Sequence, residues 1–494
     1  MKNLIKLYSL IFASLLIVSC GDEDLEPTLA QDKDLASGIQ NADDLYSVLN
    51  SAYNRMTSSA YYMRDFIVMG EVRTDNMYSN VNSGRFVSSD MNHNPDGYGP
   101  WGTIYGVIAI TNIVANVDAS SLEGNPARIN HIIGQAHALR ALCHFDLLRN
   151  YGQHFIDGQG GLGSLGVPYV KTYKDPANLQ PSRDTVASNV GDIMADFQGG
   201  IALMDDSFNT TTSYMTKAGA YALMARAALY FGAADSSFYA TAGSAAKWVI
   251  DNSSAVPVSA AAFKASYYTD HASNSLFELE ANGTDNPGIN GLAYIYRGTS
   301  YGDVRILTGT GTNPDLYDIL DATDVRGTVN GMIGTQQNYP TIIGKFPTTN
   351  GSDNVTVIRV EEMHLIYAEA LLRAGNASDA LTYLNNVPAL RNAQTYTAAT
   401  LDNILTERRK EFYGEGLRFY DLARTGQDMP LIDLANPLNS QGLQQIALAH
   451  SLAQYQHWVS LQEMELHVRH LSVCVALGCS DACFSLLESQ LCAS

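Results

Sequence analysis

Apolar residues recur at helical spacing along most of this chain, and the segments that carry them come in pairs. Residues 101–119 (WGTIYGVIAITNIVANVDA) and 133–151 (IGQAHALRALCHFDLLRNY) predict one pair of helices, separated by the breaker Gly124-Asn125-Pro126. Residues 185–204 and 216–231 predict a second pair, with a further helix over 238–251. The clearest pattern lies in 361–391. There Met363, Ile366, Tyr367, Ala370, Leu371 and Ala374 fall at i, i+3, i+4, i+7, i+8 and i+11, Gly375-Asn376 ends the helix, and Ala380, Leu381 and Leu384 open the next.

Small residues at the helix faces, such as Ala368, Ala370, Ala374 and Ala380, let neighbouring helices approach closely. This resembles the tetratricopeptide repeat, in which stacked helix pairs bury a continuous face. About four degenerate units can be counted, and an irregular helical bundle fits the uneven spacing as well. Between about 253 and 357 the texture changes. Asn282-Gly283, Asn290-Gly291, Asn350-Gly351 and Thr312-Asn313-Pro314 punctuate short runs such as 275–279 (SLFEL) and 355–357 (VTV). The expected fold is therefore mainly α, with tetratricopeptide-like helix pairs as scaffold and a loop-rich, minor-β face for ligand. Long loops on a rigid scaffold are where binding surfaces usually lie.

The N-terminus places Lys2 and Lys6 before an apolar run from Leu7 to Val18, which stops at Ser19-Cys20. This is a secretory signal over residues 1–19. The run is too short to cross a hydrocarbon layer of roughly 30 Å, and no later stretch reaches the ~18 apolar residues that a spanning helix needs. The acidic stretch 21–27 (GDEDLEP) has little to bury, so residues 20–34 read as a tether. A net charge of −20 argues against nucleic acid as a partner, since polyanion binders rely on clustered Lys and Arg. Cys143 is the one cysteine in residues 21–473, so no disulfide framework is expected.

No nucleophile elbow, HExxH helix, Walker loop or dinucleotide fingerprint occurs. Acid pairs such as Asp43-Asp44, Asp205-Asp206 and Glu361-Glu362 are chain neighbours, which does not set two carboxyl groups across a sugar. No catalytic residue, cofactor or metal is expected. Ligand capture without chemistry needs flat aromatic faces and a few hydrogen-bonding groups. The candidates are Tyr78, near Arg73, Asp75 and Asn76; Tyr98; and Tyr294, Tyr296, Arg297 and Tyr301 of the Gly-rich 291–302 loop. Trp101 opens an apolar stripe and is expected to pack in the core. In the block 407–426 (ERRKEFYGEGLRFYDLARTG), Arg408 with Glu411, Arg418 with Asp421 and Asp421 with Arg424 stand at i,i+3. As exposed pairs each would contribute only ~0.2–0.5 kcal/mol, and their expected role is to fix a turn against neighbouring helices.

Four features in order resemble the SusD/RagB family: the lipobox-like Ile17-Val18-Ser19-Cys20, the helix with Trp101, Tyr105, Ile108 and Asn112, the stretch 358–375 (IRVEEMHLIYAEALLRAG), and the block 407–426. The resemblance spans about residues 1–440. It implies acylation at Cys20, an acidic export signal after it, and a SusD-like domain over 35–440. It also implies a non-catalytic, surface-exposed outer-membrane lipoprotein that captures oligosaccharide and acts as a hinged lid on a SusC-like TonB-dependent transporter. Peptide capture, as in the RagB branch, and a surface polysaccharide-degrading enzyme are the alternatives. The tail, 441–494, departs from the family. Residues 443–494 contain no proline and carry His467, His470, Cys474, Cys479, Cys483 and Cys492. An altered or frame-shifted terminus, a divergent helical end and a soft-metal site are the readings open there.

Overall fold

A computed structural model describes residues 38–80, 83–90, 99–153, 160–175, 179–209, 211–297, 302–308, 315–336 and 339–427. The signal, Cys20, the tether, Tyr98, Tyr301 and the tail lie outside them. The first half contains α1 (Ala42–Met56), α2 (Asp65–Val72), β1 (Met77–Ser79), the short α3 (Val87–Asp90), α4 (Pro100–Ala115), α5 (Pro126–Tyr151), α6 (Val186–Leu203), α7 (Lys217–Phe231) and α8 (Phe238–Asn252). Then come α9 (Ala260–Ser266), β2 (Ser275–Leu279), α10 (Leu292–Arg297), β3 (Val304–Ile306), β4 (Ile333–Gln336), β5 (Tyr339–Ile342) and β6 (Val355–Arg359). The last elements are α11 (Val360–Arg373), α12 (Ala377–Ala389), α13 (Leu401–Phe412) and α14 (Arg418–Thr425).

The helices start where short polar side chains can satisfy free N–H groups. Asn41 Oδ1 accepts from the Asp43 and Asp44 amides at 2.9 and 3.0 Å, and Thr185 and Thr216 cap α6 and α7 in the same way. The Gly124-Asn125-Pro126 breaker is itself such a start. Asn125 caps α5 and Pro126 is its first residue, so α5 begins a full two turns before the apolar pattern does. Each helix packs on the next, from α4 through α8, and α1 lies on α4. The array then skips the insert: α8 packs on α11, and α11 on α12. At the α5–α6 crossing, Gly134 and Gly200 face each other so tightly that a Cβ on either would lie 2.6–2.7 Å from the other's carbonyl oxygen.

The insert is closed at its base by β2 and β6. These runs are some 80 residues apart in the chain, and they pair antiparallel, with Ser275 opposite Arg359 and Leu279 opposite Val355. Two more two-stranded ladders, β1–β3 and β4–β5, make up the remaining sheet. One core runs from Leu45 of α1 to Leu422 of α14, and a smaller one joins Leu365, Leu384, Ile404 and Phe412. The fold is thus mainly helical with minor β content.

The block 407–426 holds the last helices to the rest, and it does so from the interior. Of the expected i,i+3 pairs only Arg424 Nε to Asp421 (2.9 Å) forms. Arg408 turns to Asp421 (2.7 Å), Glu411 to Arg391, Arg359 and Arg326, and Arg424 also to Glu369 (2.8 Å). The reason is burial. Gly414 and Gly416, at φ +75° and +77°, reverse the chain between α13 and α14 and fold the charges inward. Removing one partner of such a buried pair costs ~3–5 kcal/mol, an order of magnitude above the exposed-pair expectation.

Candidate functional site

The β1–β3 ladder brings together two of the loop regions that the sequence singles out. Tyr78 stands opposite Arg305 and Ser79 opposite Val304, and the Asn80 amide donates to the Asp303 carbonyl at 2.8 Å. Alternation along β1 buries Met77 and Ser79 and leaves Tyr78 half-buried on the other face. Arg305 shares that face, being directly opposite. Burial lowers the pKa of its guanidinium, against the fields of Tyr78, Asp303 and Tyr339. Tyr339 begins β5, which runs beside β3, and it is 52% exposed.

Polar side chains frame the ladder. Arg64 and Arg85 both donate to Asn290 Oδ1, at 3.2 and 3.3 Å, and Arg85 Nε lies 3.4 Å from the buried Asp303 carboxylate. Asp90 accepts from the Ser79 amide at 3.2 Å, and burial pushes its carboxyl up to about 8, so it is largely neutral at pH 7. Tyr294, half-buried, sits on α10 just beyond the Asn290-Gly291 turn, and the Gly302 amide donates to its carbonyl at 3.2 Å. Arg297 fastens the end of α10 to the Ile343 carbonyl at 2.9 Å and to that of Pro347. A cleft of about 220 Å³ opens beside Asn290, lined by Thr57, Ser59, Met63, Glu280 and Asp285.

Two of the expected ligand residues lie in the interior instead. Asp75 is 2% exposed, and Arg418 grips both its oxygens at 2.7 Å while Arg409 approaches at 3.3 Å. Burial alone would raise its pKa, but these cations outweigh it and hold the carboxyl at about 2. Tyr296 is 1% exposed, its ring stacked on Phe346 at 5.7 Å, because α10 turns that side toward the core. Both are corrected from surface contacts to supports of the face. Asp75, with Asn76 (bound by Arg409 at 2.7 Å) and Glu71 (bound by the Gly416 amide at 2.8 Å), ties the strand carrying Tyr78 to the 407–426 block. Arg85, Asn290 and Tyr339 were not singled out from sequence as contacts, and Arg305, 1% exposed, supports the ladder from the interior. Only the Asn290-Gly291 turn signal pointed near them.

Trp101 is half-buried, not enclosed. It packs on Tyr105 and Tyr151 at 4.8 Å each and also faces a separate cleft. Among the described residues no cluster of three or more His, Cys, Asp or Glu could hold a metal ion, and no helix is long and apolar enough to cross a membrane. The face offers aromatic rings, guanidinium donors and amide acceptors. That set suits polyhydroxylated or peptide-like ligands.

The class so defined is a helical-repeat scaffold that presents a loop-built recognition face. The family described as "Starch-binding associating with outer membrane" matches residues 25–229, and the SusD family matches residues 338–460. This chain belongs to the SusD/RagB family. A SusD superfamily protein of Bacteroides thetaiotaomicron superposes with a TM-score of 0.73 at 25% identity, covering 84% of this chain and 97% of that one. A SusD superfamily protein of Bacteroides vulgatus gives 0.69 at 26%, over 79% and 89%. The SusD-like protein P38 of Formosa agariphila is 25% identical over 179 residues, 30% of this chain and 34% of that protein, so the match spans about a third of that relative.

Proposed function

We propose that this chain is a lipid-anchored, surface-exposed outer-membrane protein that captures oligosaccharides and passes them to a SusC-like TonB-dependent transporter, without cleaving them. The observation that carries the reading is the β1–β3 ladder, which pairs Tyr78 with Arg305, while the Gly302 amide ties the Tyr294 carbonyl to the approach of β3, Arg85 and Asn290 are bonded to each other, and Tyr339 is exposed on β5. Membership of a family described as starch-binding and outer-membrane-associated supports it.

Aromatic rings stack on the C–H faces of pyranose rings, while Arg and Asn side chains bond the hydroxyls. A few such contacts give micromolar to millimolar affinity, roughly −8 to −4 kcal/mol, which suits a subunit that must release its cargo. Tyr78 and Tyr294 are the contacts proposed among the described residues. Tyr98 and Tyr301 belong to the same proposal, and Cys20 is the proposed lipid attachment. Energy for uptake comes through TonB and the transporter.

The test is to screen the purified full chain against immobilised plant, host and microbial glycans beside tryptic peptides. Binding to one glycan class supports the reading. Binding to peptides alone assigns the chain to the RagB branch and overturns the sugar assignment.

A further inference from the structure

The cleft that Trp101 faces is built as well as the ladder face is, and nothing in the preceding reading uses it. It holds about 690 Å³, between the first turns of α4, the stretches 168–175 and 179–184, and α6. That lies within the ~300–1,000 Å³ usual for small-ligand sites.

Its aromatic wall is locked in place. The Tyr105 hydroxyl donates to the Pro168 carbonyl at 2.8 Å, and that of Tyr169 to Asp196 Oδ2 at 2.6 Å. The Tyr169 ring stacks on His144 at 3.7 Å between centroids, 15° from parallel. Both hydroxyls being engaged, the rings of this wall contribute surface, not hydrogen bonds. Trp101 is held edge-on by Tyr151, at 80° between planes.

Opposite stand polar groups of both signs. Lys171 pairs with Asp192 at 2.7 Å, Asp184 accepts from the Tyr169 amide at 2.7 Å, and Lys174 and Gln180 are exposed at the rim. Leu179, on the same rim, is 72% exposed. With two lysines and three aspartates in the lining, the cleft is not strongly biased to either sign and suits a neutral polar ligand better than an ion. A concave shape with an aromatic floor suits a sugar ring better than it suits a flat protein surface.

We propose that this cleft is a second saccharide subsite, separate from the ladder face, with Trp101 as its stacking ring. The inference rests on the sugar-capture reading. Two weak subsites on one rigid scaffold bind a long chain more tightly than either alone, because engagement at one raises the effective concentration at the other.

The three tryptophans make a local test possible. Replacing Trp248→Phe and Trp458→Phe in the full chain leaves Trp101 as the sole tryptophan. Its emission is followed while maltoheptaose, laminarihexaose, xylohexaose and mannohexaose and, in a separate run, tryptic peptides are added, beside calorimetry of the same mixtures. A saturable change in emission is expected with whichever sugar binds. The pair Lys174→Ala and Gln180→Ala, on the exposed rim, should raise its midpoint about tenfold, the scale of one or two lost contacts. Calorimetric binding with unchanged Trp101 emission overturns the second subsite and leaves the ladder face standing. No calorimetric binding to any of the sugars, with peptides bound instead, overturns both.

Discussion

Replacing Asp75 by Asn should destabilise the fold and leave ligand affinity intact, the opposite of what a surface contact would do. In the folded chain Arg418 Nε and Nη2 each donate to one Asp75 oxygen at 2.7 Å, with Arg409 at 3.3 Å. The carboxyl is 2% exposed and held at about 2, while an unfolded Asp titrates near ~3.9. A depression of just under two units is worth about 2.5 kcal/mol at neutral pH. Loss of one partner from a buried pair costs ~3–5 kcal/mol, so a penalty of about 3 kcal/mol is the working figure. Because the folded pKa is the lower one, this stability is present above ~3.9 and is lost as pH falls toward 2. Urea unfolding of wild type and Asp75→Asn should therefore show a gap of about 3 kcal/mol at pH 7, narrowing below pH 4. Arg418→Met should cost a similar amount, and the double variant less than the sum. A gap under about 1 kcal/mol, together with lost sugar binding, would refute the reasoning and return Asp75 to the ligand face.

Glu71 behaves with the opposite sign. Burial pushes its carboxyl up to about 7, against hydrogen bonds from Asn76 and the Gly416 amide, so the penalty for ionising it is absent below the usual carboxylate range and complete above 7. The stability of wild type relative to Glu71→Gln should thus fall by about 3 kcal/mol between pH 4.5 and 8, as read by thermal or urea midpoints. Gly416→Ala should cost about 2 kcal/mol or more, because φ is +77° and a Cβ would lie 2.8 Å from Ile67 Cα; circular dichroism melts would show it. Arg85→Ala removes one of the two guanidinium donors to Asn290 and the ion pair to Asp303; it should weaken sugar binding more than it lowers the melting temperature, checked by calorimetry and melting side by side.

Much of the fold is legible in the chain because helix periodicity is local. Met363, Ile366, Tyr367 and Ala370 mark α11 without any tertiary knowledge, and Gly375-Asn376 marks its end. The strands 275–279 and 355–357 were visible as runs, but their mutual pairing was not, since nothing within either run states its partner. Burial was the other gap. The charged pattern 407–426 looks like a solvated helix face, and only the positive-φ glycines at 414 and 416 hint that the chain doubles back and buries it. The same blindness placed Asp75 and Tyr296 at the surface. In Tyr294 and Tyr296 about half a helical turn separates a half-buried ring from an enclosed one, a difference set by what α10 packs against. Arg305 meets Tyr78 through strand pairing across more than 200 residues, and Arg85 reaches Asn290 and Asp303 over a similar span, which no local pattern records.

The central claim is capture without chemistry at the β1–β3 face. It is tested most directly by titrating the full chain with its preferred oligosaccharide, in wild-type form and as Tyr78→Ala/Tyr294→Ala, with mass spectrometry of the sugar after each run. The account predicts saturable binding by the wild type, at least tenfold weaker binding by the folded double variant, and a sugar recovered at its original mass. Undiminished binding by the double variant, or shortened products from the wild type, would contradict it.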